Sequence, residues 1–172
     1  MRTTLILLAG VLTAIGCARE ADTSQTAETS RPRSLLEMEQ QQAQSPFESD
    51  RERYEFGDIA IDGGNVETVF RVSNTADDEV ELVAVYTSCG CTSAVLEFDD
   101  GSTAGPFGMP GHGDLPEIER LVVPGESFDV RVSFDPAAHG PQGLGNIMRA
   151  VKLHARDGGT TELTITAHVV RS

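Results

Sequence analysis

The sequence predicts an all-β domain over residues 51–172, an antiparallel β-sandwich of about seven strands behind a disordered N-terminal tether. After Tyr54, apolar residues recur at every second position, and turn residues such as Asp and Gly separate these runs. No segment after residue 50 shows the helical period of about 3.6 residues. A stretch of about 120 residues suits one immunoglobulin-like domain.

Five alternating runs predict the strands in chain order. Their apolar members are Val66, Thr68, Phe70 and Val72; Val80, Leu82, Ala84 and Tyr86; Phe128, Val130, Val132 and Phe134; Ile147, Val151 and Leu153; and Leu163, Ile165, Ala167 and Val169. Asp157-Gly158-Gly159 predicts a hairpin, because consecutive glycines tolerate positive φ. Pro124-Gly125-Glu126 predicts a second turn.

Residues 1–16 predict a lipoprotein signal peptide. The apolar run from Leu5 to Ile15 is shorter than the roughly 20 residues of a membrane-spanning helix and is typical of a signal sequence. It ends in Ala14-Ile15-Gly16-Cys17, which resembles the bacterial lipobox, although Ala14 stands where Leu is usual. The resemblance implies acylation of Cys17. Ala18 after the cysteine implies the outer membrane, facing the periplasm, if the host is diderm.

Residues 17–50 predict a lipid-anchored, flexible tether. They are rich in Glu, Gln, Ser and Thr and hold little apolar material to bury, which favours disorder. As a flexible coil this segment spans on the order of 30 Å. The tether would let the folded domain stand clear of the membrane.

The charge balance excludes some classes of partner. With 13 Lys+Arg against 27 Asp+Glu, the net charge is −14. Nucleic-acid binding needs clustered basic residues, and docking on an anionic bilayer needs positive charge. We therefore expect no nucleic-acid partner, and a membrane association that depends on the lipid anchor.

Cys89-Gly90-Cys91 is the first candidate site. In an extended strand, the Cα atoms of residues i and i+2 lie about 6.6–7 Å apart, at the limit for a disulfide. A positive φ at Gly90 would bring the pair closer. Three hypotheses remain open: a structural pair of thiols or bridge, a redox pair, or two ligands of a soft metal such as copper.

The glycine-rich insertion over residues 99–119 is the second candidate. It contains Met109 and His112, which are suitable ligands for a Cu(I) site beside Cys89 and Cys91. A surface loop with an incidental Met and His explains the same residues. His139 lies in a loop after Asp135-Pro136, while the remaining histidines fall on the polar faces of their strands. We predict no role for these three.

Several blocks occur in the order and spacing of a known bacterial family. They are Tyr54–Ile59, Phe70–Thr75, Thr87–Thr92, Val123–Glu126 and Val132–Pro136. From Tyr54 to Val170 the sequence resembles the domain of unknown function 1573 family, which is immunoglobulin-like and related to major-sperm-protein and hydin-type modules. The resemblance implies that fold and a secreted or lipid-anchored protein, but no established role. The insertion departs from the family pattern.

The favoured hypothesis is a non-enzymatic, lipid-anchored module of the cell envelope. The sequence contains no nucleophile elbow, no His-Glu-x-x-His and no phosphate-binding glycine loop. We expect no cofactor and a partner that is an envelope protein or a surface polymer. The alternatives are soft-metal binding or thiol redox chemistry at the Cys-Gly-Cys motif.

Overall fold

Ten β-strands make up most of the part of the chain that the computed structural model describes, residues 45–113 and 116–171. They are β1 (Phe47–Ser49), β2 (Arg53–Ala60), β3 (Val66–Asn74), β4 (Val80–Thr87), β5 (Thr92–Phe98), β6 (Thr103–Phe107), β7 (Arg120–Val122), β8 (Ser127–Phe134), β9 (Gly145–Ala155) and β10 (Thr160–Val170). A short 3₁₀ helix covers Gly140–Gly143. The predicted signal peptide, Cys17 and most of the predicted tether lie outside the described residues. Within those residues, no helix reaches the length and hydropathy of a membrane span.

The strands form two sheets of five, which confirms the predicted sandwich. Sheet I has the order β1-β3-β8-β5-β6, and sheet II has the order β2-β10-β9-β4-β7. Two details of the prediction were wrong. Seven strands have seven or more residues, but three short edge strands raise the described total to ten. The sandwich is also not wholly antiparallel, because β2 pairs with β10 in parallel.

Alternate residues of the strands build the core between the sheets. The predicted members of β8, from Phe128 to Phe134, are at most 2% exposed, as are Leu163, Ile165 and Val169 of β10. The intervening positions of sheet I carry charges that pair across strands, such as Arg131 with Glu97 at 2.8 Å. Burial of one face therefore explains the period of two.

Strand β4 departs from the predicted alternation. Val80 and Leu82 are buried as predicted, but a β-bulge between Leu82 and Ala84 shifts the register with β9. Beyond it, Val85 and Thr87 point into the core in place of Ala84 and Tyr86. A bulge adds one residue to a strand, so it exchanges the two faces.

The folded domain begins before the predicted boundary at residue 50. Strand β1 pairs with β3, and Phe47 is only 2% exposed. The Phe47 ring meets Phe128 edge-on at 5.9 Å between centroids. Residues 47–49 therefore belong to sheet I rather than to the tether.

Part of the glycine-rich insertion is also regular structure. Strand β6 pairs with β5 as the edge of sheet I, and Phe107 is completely buried. Gly105 takes a φ of 114°, and an added Cβ would lie 2.8 Å from the Ala94 carbonyl oxygen. This close approach explains a glycine there. The predicted surface loop is therefore wrong for residues 103–107.

Candidate functional site

Three chain crossings between the sheets meet at one end of the sandwich, which we call the crossover end. They are the turn 88–91 from β4 to β5, the segment after β6 that includes residues 108–113, and the loop 135–144 from β8 to β9. Hydrogen bonds join them: the Thr87 N–H donates to Gly108 O at 3.0 Å, and the Asp135 N–H donates to Cys91 O at 2.9 Å. Sheet register therefore places the Cys-Gly-Cys motif between two other loops.

The turn that carries the two cysteines is held from inside the sandwich. The Thr92 N–H donates to the Cys89 carbonyl at 3.1 Å. The Thr87 hydroxyl, in a side chain that is 1% exposed, lies 2.9 Å from Cys89 O and 3.1 Å from Thr92 O. These contacts fix the backbone on both sides of the motif.

Cys89 and Cys91 are joined by a disulfide. Their Cα atoms lie 5.3 Å apart, within the usual range of about 4.4–6.8 Å. The predicted route was wrong in one respect, because Gly90 is not among the glycines with positive φ. The tight turn from Cys89 to Thr92, rather than a left-handed glycine, shortens the distance of an extended strand.

The two sulfurs have different surroundings. Cys91 is 4% exposed, whereas Cys89 is only partly buried. The Cys91 N–H also points at Cys89 Sγ, at 3.3 Å. An incoming molecule therefore has access to Cys89 before Cys91.

His139 contacts the more accessible sulfur. Its Nε2 lies 3.2 Å from Cys89 Sγ, although the two residues are 50 positions apart. The loop is shaped by Asp135, whose carboxylate accepts from the Ala137 N–H at 2.8 Å, and by the Gly140 N–H bond to Ala137 O. The sequence did not predict this contact between His139 and the cysteine pair.

Arg149 of β9 contacts the buried sulfur. Its Nε donates to Cys91 Sγ at 3.2 Å, and its guanidinium also donates to Met148 O at 2.9 Å. The same strand is also tied to the motif, because the Ser88 N–H donates to Ala150 O at 2.9 Å. Sequence reasoning missed Arg149, which is 58 residues from Cys91 and carries no local signal.

The residues whose positions would allow them to hold a metal ion differ from the predicted set. Among the described residues, Cys89, Cys91 and His139 form a group whose ligand atoms all lie within 4.8 Å of one another. His112 is not part of it. Its ring lies beside Gly90, and with Met109 it lines an open cavity of about 330 Å³. The four predicted residues are thus neighbours, but His139 replaces His112 next to the sulfurs.

The most perturbed carboxyl lies at the opposite end of β5, away from this site. The pKa of Asp100 is lowered to about 2, mainly by hydrogen bonds from the Ser102 hydroxyl and N–H and then by Arg120. Asp100 sits in the turn between β5 and β6, where these donors stabilise its charged form. We assign it to turn stability rather than to chemistry.

Comparison with family profiles supports the resemblance. The family described as protein of unknown function, DUF1573, matches residues 47–100. This is the family that the sequence resembles. The matched segment runs from β1 to the turn after β5 and includes Cys89 and Cys91. A comparison with curated proteins finds no match.

Solved structures that this chain resembles have little sequence identity to it. A protein of unknown function from Porphyromonas gingivalis W83 is 16% identical, with a TM-score of 0.50, over 74% of this chain and 48% of its own. The secreted serine protease VesC from Vibrio cholerae is 10% identical, with a TM-score of 0.50, over 79% of this chain and 25% of its own. An ASH/PapD-like domain of human CEP192 is 12% identical over 74% of this chain and 87% of its own, with a TM-score of 0.43.

The likenesses to the Porphyromonas protein and the protease, each with a TM-score of 0.50, concern the fold alone. The chain spans about half the length of the Porphyromonas protein and a quarter of the protease. The protein is thus a DUF1573-like, immunoglobulin-like sandwich whose matched family has no assigned function, and its chemistry has to be argued from the crossover end.

Proposed function

We propose that this protein exchanges disulfides with thiols of a partner protein in the cell envelope, using Cys89 and Cys91. The observation that carries the proposal is the unequal environment of the two sulfurs. Cys89 is the accessible sulfur and lies beside His139, while the buried Cys91 sulfur accepts from Arg149. An attacking thiolate needs one reachable sulfur and a good leaving group on the other.

The exchange begins at Cys89. A thiolate of a partner dithiol attacks Cys89 Sγ and forms a mixed disulfide. The Cys89–Cys91 bond breaks, and its electron pair leaves on Cys91 Sγ. The partner's second thiolate then attacks the partner sulfur that is bonded to Cys89 in the mixed disulfide. The partner's disulfide forms, and Cys89 leaves as a thiolate. The partner loses two electrons and two protons, which the two cysteines gain.

The neighbouring side chains suit these steps. The Arg149 guanidinium stabilises the thiolate that leaves on Cys91, because a positive charge favours thiolate over thiol. The His139 Nε2, at 3.2 Å, is placed to donate a hydrogen bond to Cys89 Sγ when that sulfur is released as a thiolate. The open cavity lined by Gly90 and Met109 adjoins the turn and offers room for the attacking segment.

The proposal includes the predicted location. A lipid on Cys17 and the tether would hold the domain at a membrane in an oxidising compartment, where disulfides persist. The protein would act there as a stoichiometric redox partner and not as an enzyme for a small substrate.

A redox titration tests the proposal. The full chain carrying Cys17→Ser has Cys89 and Cys91 as its remaining cysteines, since the sequence contains three. It is equilibrated in glutathione and dithiothreitol buffers, alkylated and weighed by mass spectrometry. We expect reversible reduction of a folded domain at a potential between about −320 and −120 mV. A pair that resists both buffers, or a domain that unfolds on reduction, would refute the proposal.

Rate measurements test the assigned roles. Arg149→Gln should slow reduction by dithiothreitol, because the leaving thiolate loses its positive neighbour. Lys152→Gln serves as the matched control, because it removes one positive charge from the same strand. The Lys152 side chain pairs with Glu162 at 3.3 Å and not with the cysteines. Equal rates for the two variants would remove Arg149 from the mechanism.

One observation favours the binding module as a second function. The edge strand β7 and the residue after it expose Leu121 (53%) and Val123 (48%), and unpaired strand edges are docking sites for extended segments. We expect Leu121→Asp to abolish cross-linking of the chain to its envelope partner, while Met148→Asp, at a similarly exposed apolar residue, leaves it unchanged. Equal cross-linking in both variants would contradict the assignment to this edge.

A further inference from the structure

We infer that the reduced crossover end binds one Cu(I) ion through Cys89, Cys91 and His139. The inference rests on the proposed function, because the disulfide has to be opened before either sulfur is a ligand. It also replaces the ligand set predicted from sequence, in which Met109 and His112 completed the site.

The spacing of the three ligands suits a small cation. Their ligand atoms lie within 4.8 Å of one another, and Cys89 Sγ already lies 3.2 Å from His139 Nε2. Three ligands around one ion, with metal–sulfur distances of about 2.3 Å and a metal–nitrogen distance of about 2.0 Å, lie roughly 4 Å apart. Opening the disulfide and a small side-chain rotation would produce that triangle.

The backbone around the ligands is already fixed. Thr87 holds the carbonyl of Cys89 from the core, and the Asp135 N–H bond to Cys91 O ties the His139 loop to the same turn. The backbone of the cysteine turn and the start of the His139 loop therefore keep their relative position when the sulfurs separate. A preorganised site loses less entropy when the ion binds.

The donor chemistry selects the ion. Thiolates are soft ligands that favour Cu(I), and an imidazole suits copper as well. Two thiolates and one Cu(I) leave a net charge of −1, which the Arg149 guanidinium beside Cys91 balances. A structural zinc site would need a fourth protein ligand, and the group has three members among the described residues. A three-coordinate Cu(I) ion requires no fourth ligand.

The redox state of the pair would then control metal binding. In the disulfide each sulfur is bonded to its partner and carries no thiolate charge, so His139 alone remains as a ligand. Reduction by a thiol releases two thiolates beside that histidine. The ion would thus occupy the site only after exchange has taken place.

Copper titration of the Cys17→Ser chain tests the inference. One sample is kept oxidised and the other is reduced with a phosphine, and Cu(I) is added against a chromogenic chelator. We expect one equivalent per reduced chain and none per oxidised chain. His139→Ala should weaken binding by more than about tenfold, and Cys89→Ser should abolish it. His112→Ala, in the adjacent loop, is the matched histidine control and should have no effect.

Each outcome separates this inference from the proposed function. Exchange without copper binding by the reduced chain would overturn the inference and leave the function standing. Copper binding after phosphine reduction, in a pair that thiols do not reduce, would support the site and overturn the function. Loss of binding in His112→Ala but not in His139→Ala would overturn the assigned ligand set. Circular dichroism of each variant checks that the sandwich is folded.

Discussion

Replacement of Phe47 by Ala tests whether the folded domain begins before residue 50. The side chain is 2% exposed and packs edge-on against Phe128 at 5.9 Å, at the open edge of sheet I. Truncating a buried phenylalanine to alanine costs about 3–5 kcal/mol, which includes an aromatic pair worth about 0.5–1.5 kcal/mol. We expect Phe47→Ala to lower the free energy of unfolding by that amount.

Thermal unfolding followed by circular dichroism measures the effect. For a domain of this size, each kcal/mol shifts the midpoint by about 3–5 °C, so the expected decrease is roughly 10–25 °C. Glu48→Ala is the control, because Glu48 is exposed in the same strand and should change the free energy by less than about 0.5 kcal/mol. A Phe47→Ala midpoint within the error of Glu48→Ala would refute the place of β1 in the core.

Three further predictions concern polar and titratable groups. Asn74→Ala removes a buried amide that donates to two carbonyls, so it should lower the free energy of unfolding, measured in urea, by about 2–4 kcal/mol. Asn146 is exposed, so Asn146→Ala should leave the free energy of unfolding unchanged. Ser102→Ala should raise the pKa of Asp100 from about 2 towards 3.8, as NMR titration would show. Because that pKa is depressed on folding, the stability from Asp100 is present above the unfolded value and is lost as pH falls through the folded one. Burial lowers the pKa of His154, so unfolding free energies should fall as pH drops through about 6.5, and this dependence should vanish in His154→Gln.

The alternation of apolar residues made most of the fold predictable. Phe128 to Phe134 and Leu163 to Val169 are buried where the period of two places them, because each strand has one face in the core. The turns at Gly125 and Gly158 were also correct, and both take positive φ. The prediction failed in β4, where a bulge after Leu82 exchanges the faces and the sequence carries no separate sign of it.

The candidate site was only half predictable. Cys89 and Cys91 are close in sequence, so their spacing alone allowed a bridge. His139 and Arg149 are 50 and 58 residues from the sulfurs that they contact. Neither lies in a recognisable motif. The alternation of apolar residues along the strands does not predict which loops of a sandwich contact one another.

The fold class, the long strands and the cysteine pair follow from local patterns in the chain, because burial of alternate residues and short-range turns act between near neighbours in sequence. The side chains that surround that pair depend instead on how distant strands pair in the folded domain. Strand pairing aligns Thr92 of β5 with Phe134 of β8, so the turn before one strand meets the loop after the other. Register between distant strands is a non-local property, and it brings His139 rather than His112 to Cys89.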